Sequence, residues 1–571
     1  MRLISWFLIC LLFLGLPQAL AEDTLTEEKA SALVSQATET PKKEKEQRKA
    51  ALEEKPLIEE KKTPPPAEEK GPVFFVRKIR VEGATLFSEK ELRTLLTPFE
   101  NKKTSLGDLR SLTDLITNLY RSKGYSTSRA YLPPQTLRDE TVIVRVLEGK
   151  VGQIFVEDNR YFSDAVYQKA LHLPKGKIFR YEDLEANLYF LNRQPDRKAK
   201  AYLIAGEEPG ASDIVLKARE EKPFHVYYHL SNSGTKFTHR MRNGVSVTDN
   251  DFLGFGDALD VNASMAEEGA YDAWSFGYTA PFEEADNVLS LGGGYSKTML
   301  IRNLQSSEIK GKSFNFSPAL THAFVRSPKF TLEGLLGLDI TNSLTLINDV
   351  QISANLTRAV KVGPRFTWQN DDSRTLFDFD FRRGIPDMLD GLAENDRRAS
   401  RENSGGDFTY YTANLARIQR LPEDFFLLTR LDGQWTRETL TAVETYRLGG
   451  ASSVRGYPEG ESFGDYGYHA SAELSIPLFF LPKKFCMPFA SKLTWREGVR
   501  AVIFTDLGKT YIRERKLSTD VKDMFLLGTG FGIRVDLNEN FSLVVDMAYP
   551  LGDASSDKNR VQTHVAVKAG F

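Results

Sequence analysis

The stretch with the most chemical promise in this sequence is Tyr446–Tyr468, YRLGGASSVRGYPEGESFGDYGY. It is too long and too rich in glycine for a simple turn, and Val454-Arg455-Gly456-Tyr457 stands at its tip. A guanidinium taken out of bulk water needs a fork-shaped acceptor, which a carboxylate supplies through two parallel bonds. Glycines on either side let the backbone approach a wall closely. Catalytic signatures are missing from the chain: it has no phosphate-binding loop, no zinc-ligand cluster and no nucleophile elbow. No two acids are spaced as acid–base chemistry demands. His225 and His229 would suggest a metal on a helix, but on a strand they stand about 13 Å apart, too far for one ion. The expectation is a non-enzyme without cofactor or metal.

The elements that must position Arg455 follow Pro223. Runs of alternating polarity, such as His239–Asp249, Ala258–Ala266 and Ala270–Ala280, are separated by Gly, Asn, Asp and Pro. Phe541, Leu543, Val545, Met547 and Tyr549 share one face, opposite Ser542 and Asp546. Val561, Thr563, Val565, Val567, Ala569 and Phe571 share another, opposite Gln562, His564 and Lys568. Apolar-out and polar-in is what a lipid-facing strand around a wet lumen requires. Strands of a soluble sandwich alternate too. Against a sandwich stand the apolar last strand ending on Phe571 and aromatics near strand ends: Tyr227, Tyr228, Trp274, Phe282, Phe479 and Phe480. Interfacial girdles have this pattern. Past the N-terminal leader no stretch of 18 apolar residues occurs, so a spanning helix is excluded. A closed barrel is the other way to cross lipid. At about 22 residues per strand with its share of loop, residues 223–571 hold about 16 antiparallel strands.

Ahead of the barrel, Arg2, the apolar run Leu3–Leu16 and Ala19-Leu20-Ala21 read as a signal peptide over residues 1–21. Residues 22–73 are charged and proline-rich and read as a solvated linker. Thr24 and Glu27 form a capping box for a short helix over 24–37. Two α+β modules follow, each ordered β-α-α-β-β, over 74–150 and 151–222. In the first, Leu109, Leu112, Leu115, Ile116 and Leu119 form one helical stripe. The mature chain keeps one cysteine, Cys486, and so no internal disulfide. A formal net charge of -2 argues against nucleic acid as a partner.

With these motifs the sequence resembles the polypeptide-transport superfamily of outer-membrane proteins, and within it the two-partner secretion transporters of the haemolysin secretion/activation type. The likeness runs over nearly all of residues 74–571. It rests on Val454-Arg455-Gly456-Tyr457, on Phe504-Thr505-Asp506-Leu507-Gly508, and on the stretches Asn250–Asp257 and Gly528–Asp536. Leu191-Asn192-Arg193 with Gly206–Gly210 resembles a second POTRA (polypeptide-transport-associated) domain. The resemblance implies that the loop folds into the lumen and that Arg455 pairs with Asp506. Val454, Gly456, Tyr457, Phe504 and Gly508 support that pair, and Arg534 and Asp536 line the wall. Phe571 is the signal read by the barrel assembly machinery, and residues 24–37 plug the lumen. It further implies a Gram-negative outer membrane with periplasmic POTRA domains. Its partners are the membrane's lipids and an unfolded secreted polypeptide of haemolysin or adhesin type. Sheet edges beside Val76–Glu82, Thr141–Glu148 and Asp213–Glu220 are expected to hold that partner. The alternatives are a barrel-insertion factor of the same superfamily, a porin-like channel and a structural anchor.

Overall fold

The computed structural model describes residues 73–282, 286–301, 308–482, 494–513, 523–538, 540–557 and 561–570. The expected signal peptide, linker and plug helix, Cys486 and Phe571 lie outside them. The chain divides into two compact units, one made of the elements up to Pro223 together with Leu253–Gly256, the other of the strands from Phe224 onward.

In the first unit Ser105 sets the start of the longest helix. Its hydroxyl accepts from the Asp108 amide at 3.1 Å while the Asp108 carboxylate accepts from the Ser105 amide at 2.8 Å. This capping box satisfies donors that the first turn leaves orphaned. The first module runs β1 (Val73–Val76), β2 (Lys78–Glu82), α1 (Glu89–Leu96), β3 (Lys102–Ser105), α2 (Leu106–Ser122), β4 (Arg129–Tyr131) and β5 (Thr141–Leu147). The predicted strand over 76–82 is divided at Arg77, and Val73–Val76 pairs with β3 instead. The stripe of α2 is also shifted. Leu109, Leu112, Ile116 and Tyr120 are buried, whereas Leu115 is 44% exposed. Thr113 and Thr117 occupy the face instead, and the Thr117 hydroxyl accepts from the Ala130 amide of β4 at 3.0 Å.

The second module runs β6 (Lys150–Glu157), α3 (Asp164–Leu171), α4 (Tyr181–Arg193), β7 (Arg197–Ala205) and β8 (Ala211–Glu220), over a core centred on Tyr167, Phe179, Leu191 and Ile214. The sheets are ordered β2-β5-β4 and β6-β8-β7. This corrects two expected docking edges: β8 lies between β6 and β7, and β5 lies between β2, which pairs with Thr141–Arg145, and β4, which pairs with Arg145–Leu147, while the Gln135 side chain bonds the Ile143 backbone. The edges are β2, β4, β6 and β7.

In the second unit, β9 (Phe224–Ser231) is followed by β10 to β19: Arg242–Asp249, Ala258–Met265, Tyr271–Phe282, Asn287–Met299, Ile309–Arg326, Phe330–Ile347, Val350–Gln369, Ser373–Gly384, Thr409–Arg420 and Phe426–Thr436. A short hairpin, β20 (Tyr446–Leu448) and β21 (Ser462–Gly464), comes next. Then come β22 (Tyr466–Pro477), β23 (Val499–Tyr511), β24 (Met524–Asn538), β25 (Phe541–Pro550) and β26 (Gln562–Gly570). All but the hairpin close into one antiparallel barrel of 16 strands, β26 pairing with β9. Side chains alternate across the wall with period two. On β22, His469, Ser471, Glu473 and Ser475 are buried inward. Trp274, Phe276, Leu336, Phe531 and Met547 stand exposed on the outside, as a lipid-facing surface requires. Of the expected girdle aromatics, Tyr228, Trp274, Phe282, Phe479 and Phe480 are exposed. Tyr227 turns inward, where Lys568 Nζ lies 3.9 Å from its ring centroid.

Candidate functional site

The motif Phe504-x-Asp506-x-Gly508 has the period of a strand, so β23 presents all three residues on one face, and all three are buried. The hairpin β20–β21 carries the Arg455 tip against this face. Gly449, Gly450 and Gly456 take φ values of 109°, 101° and 99°, a region that side chains strain to adopt. The tip approaches the wall closely enough that a Cβ on Gly528 would lie 1.8 Å from the Arg455 carbonyl oxygen. A Cβ on Gly508 would meet Leu448 at 2.7 Å. Val454 and Tyr457, both fully buried, pack with Tyr446, Leu448 and Leu526. The Tyr457 hydroxyl accepts from the Gly552 amide at 2.9 Å.

Arg455 is 2% exposed. Its Nε donates to Asp506 Oδ2 at 2.7 Å and its Nη2 to Asp506 Oδ1 at 2.9 Å, the forked geometry that a guanidinium and a carboxylate share. Its own amide also donates to Asp506 at 3.2 Å. The guanidinium carbon lies 3.4 Å from the Phe504 ring centroid, so the aromatic face adds a cation–π contact. Nη1 reaches two further acids, Glu473 of β22 at 2.6 Å and Asp546 of β25 at 3.3 Å. Arg534 of β24 bridges the same two, at 3.0 Å to Glu473 and 2.5 Å to Asp546. The Ser471 hydroxyl donates to Asp506 at 2.6 Å. Three acids thus meet two arginines, and Arg430 of β19, opposite Ser471, stands within electrostatic reach of Glu473 and Asp506. Balance of this kind is what makes buried charge tolerable.

The structure therefore brings Arg455, Asp506, Phe504, Gly456 and Arg534 together. Asp536 lies two residues along β24 on the Arg534 face, within electrostatic reach of Arg500. Sequence reasoning did not single out Glu473, Ser471 or Asp546 as members. Their only signal was alternation: each is a polar residue between apolar neighbours, like many other wall residues. His469 is another. It bonds Asp432 at 2.7 Å and the Ser453 carbonyl at 3.1 Å, tethering the loop beside its tip. His225 and His229 share a face of β9 with Tyr227 between them, and His229 bonds Ser246 at 2.6 Å.

This arrangement can hold a loop inside a closed cylinder by charge. Comparison with known proteins points the same way. Residues 210–535 match the haemolysin secretion/activation protein family ShlB/FhaC/HecB, and residues 74–149 match the ShlB-type POTRA domain. The heme/hemopexin transporter protein HuxB of Haemophilus influenzae is 24% identical over 481 residues, covering 83% of this chain and 82% of that one. The outer membrane transporter CdiB of Dickeya dadantii is 25% identical over 423 residues, 72% of this chain and 74% of its own. The solved CdiB from Escherichia coli superposes with a TM-score of 0.70 at 23% identity, covering 97% of this chain and all of that one, a likeness of fold.

Proposed function

The chain belongs to the haemolysin secretion/activation family, and from that premise we propose how it carries a polypeptide across the outer membrane. It is a two-partner secretion transporter, with its POTRA region in the periplasm and its barrel in the outer membrane. We read residues 74–150 as the first POTRA domain, 151–222 as the second and 223–571 as the barrel. The unfolded partner, of haemolysin or adhesin class, adds a strand to a free edge of a POTRA sheet, where backbone bonds give affinity without strict sequence demands. It then threads the lumen, whose polar wall and water satisfy irregular peptide groups. Outer-membrane lipids surround the apolar outer face, and the assembly machinery that inserts the barrel reads Phe571.

Arg455 locks the loop in place through Asp506, with Val454, Gly456, Tyr457, Phe504 and Gly508 shaping its seat and Arg534 holding the neighbouring acids. The forked Arg455–Asp506 contact inside a closed wall is the observation that carries this reading. Replacing Arg455 by Ala leaves Asp506, Glu473 and Asp546 under-compensated, a defect of about 3–5 kcal/mol for a buried pair. We expect Arg455→Ala to insert and to keep heat-modifiable migration on gels while secretion of the partner falls at least about tenfold. Arg455→Lys should rescue little, because an ammonium cannot make the fork. Wild-type secretion by Arg455→Ala would overturn the lock.

A further inference from the structure

A second acid fastens the same loop at its other end, and the lock does not use it. Asp465 follows β21, is fully buried, and gathers donors from three separate segments. Arg401, in the connection between β17 and β18, donates through Nη1 to Oδ1 at 2.5 Å and through Nη2 to Oδ2 at 3.0 Å. The Leu440 amide, on the limb that leads from β19 into the loop, donates to Oδ1 at 2.8 Å. The Arg513 amide, just past β23, donates to Oδ2 at 2.9 Å. The Asp465 backbone is held as well: its amide donates to the Tyr511 carbonyl at 2.8 Å, and its carbonyl accepts from Gln434 at 3.1 Å.

Arg401 adds a second stitch. Its Nη1 also donates to the Leu440 carbonyl at 2.8 Å, and next to it the Ser400 hydroxyl accepts from the Ala442 amide at 3.0 Å. Leu440 is fully buried against Phe408, Tyr410 and Ala359, and the last two face inward on β18 and β16. The connection bearing Arg401 and the limb bearing Leu440 thus lie together at the mouth of the barrel remote from the start of β9, joined by one carboxylate.

We propose that Asp465, with Arg401 as its cation, is a second positioning site for the lumen loop. It ties the loop's outer limbs to the connection over residues 385–408 and closes that mouth until a partner leaves. The proposal rests on the transporter reading, but its first test needs no partner. The full chain is reconstituted in planar lipid bilayers as wild type, Arg401→Gln and Arg401→Lys. Losing one member of a buried ion pair shifts an equilibrium by roughly a hundredfold or more, so Arg401→Gln should raise the share of large-conductance events by that order. Arg401→Lys keeps the charge but cannot make the fork, so it should fall between wild type and Arg401→Gln. Conductance of Arg401→Gln equal to that of wild type overturns the proposal.

A second arm covers a variant that fails to insert. Ser400→Cys and Ala442→Cys are placed in a Cys486→Ser background and joined by a short bis-methanethiosulfonate linker, which forms a reducible disulfide with each thiol and releases methanesulfinate. The joined protein should secrete at least about tenfold less than the same protein after reduction, the factor for a state held about 1.4 kcal/mol out of reach. Equal secretion before and after reduction overturns the proposal. Failure of the unmodified chain to secrete any partner counts against the transporter reading and leaves the conductance result to judge Asp465.

Discussion

At the scale of single residues, two positions have consequences beyond their own contacts. Gly528 leaves room for the Arg455 carbonyl, and a Cβ there would sit at 1.8 Å against backbone, which cannot swing aside as a side-chain end can. Gly528→Ala should therefore displace the loop tip without touching any charge. Protease or thiol accessibility at the tip should rise, with the gel mobility of the folded barrel unchanged. In the first module, Glu148 accepts from the Thr85 amide at 2.6 Å, the Thr85 hydroxyl at 2.5 Å, the Leu86 amide at 3.0 Å and the Tyr120 hydroxyl at 2.8 Å. Burial pushes its carboxyl up, but these donors outweigh burial and hold it below the usual range. Its bonds thus stabilise fully above the ordinary carboxylate pKa and are lost as pH falls through the lowered one. Hydrogen exchange of the full chain should show first-module amides losing protection on acidification. Glu148→Gln should lower protection at neutral pH by about 1–3 kcal/mol and flatten the acid limb. Arg455 was legible in the sequence because glycine punctuates its loop, and Asp506 through the likeness of Phe504–Gly508 to the wall motif of the transporter family. Glu473, Asp546, Asp465 and Arg401 were not, since their meaning comes from register and loop convergence over 18 to 91 residues.

At the scale of elements, caps and edges decide most. Ser105→Ala removes one half of the capping box on α2 and should cost the first module about 1 kcal/mol, seen as faster exchange across Leu106–Ser122. The free edges set where a strand can add. Tyr202 and Ile204 are exposed on β7 and Phe155 on β6, so both flanks of the second sheet offer apolar side chains on strands that have one neighbouring strand in the sheet. A charge there blunts strand addition. Ile204→Lys should weaken partner retention in a pull-down with the full chain and leave the barrel intact. If Ile204→Lys binds as wild type, β7 is not the receiving edge. The helices and strands of both modules were readable from periodicity. Which strand would be central was not, because β8 is sandwiched by β6 and β7 through pairings that local pattern does not encode.

At the scale of the whole molecule, closure of the barrel is uneven. Among the described residues β26 meets β9 over the short register Ala566–Gly570, whereas β15 meets β16 from Phe330 to Ile347. Asn232 extends the seam with its side chain: Nδ2 donates to the Thr563 carbonyl at 2.7 Å and Oδ1 accepts from the Val565 amide at 2.8 Å. Asn232→Ala should speed amide exchange in β26 while β15 and β16 stay protected, and should lower the temperature at which the folded gel band is lost. The strand number, about 16 from length and alternation, matches the closed ring because lipid thickness fixes strand length. Closure also orders events in time. Arg455 is synthesised before β22, β23 and β25, which supply Glu473, Asp506 and Asp546. Until β22, β23 and β25 have all zipped into place, that cation lacks its full set of counterions. A barrel stalled one hairpin short, without β25 and β26, would offer the tip Glu473 and Asp506 but not Asp546, so a fully docked tip is a record of finished biogenesis.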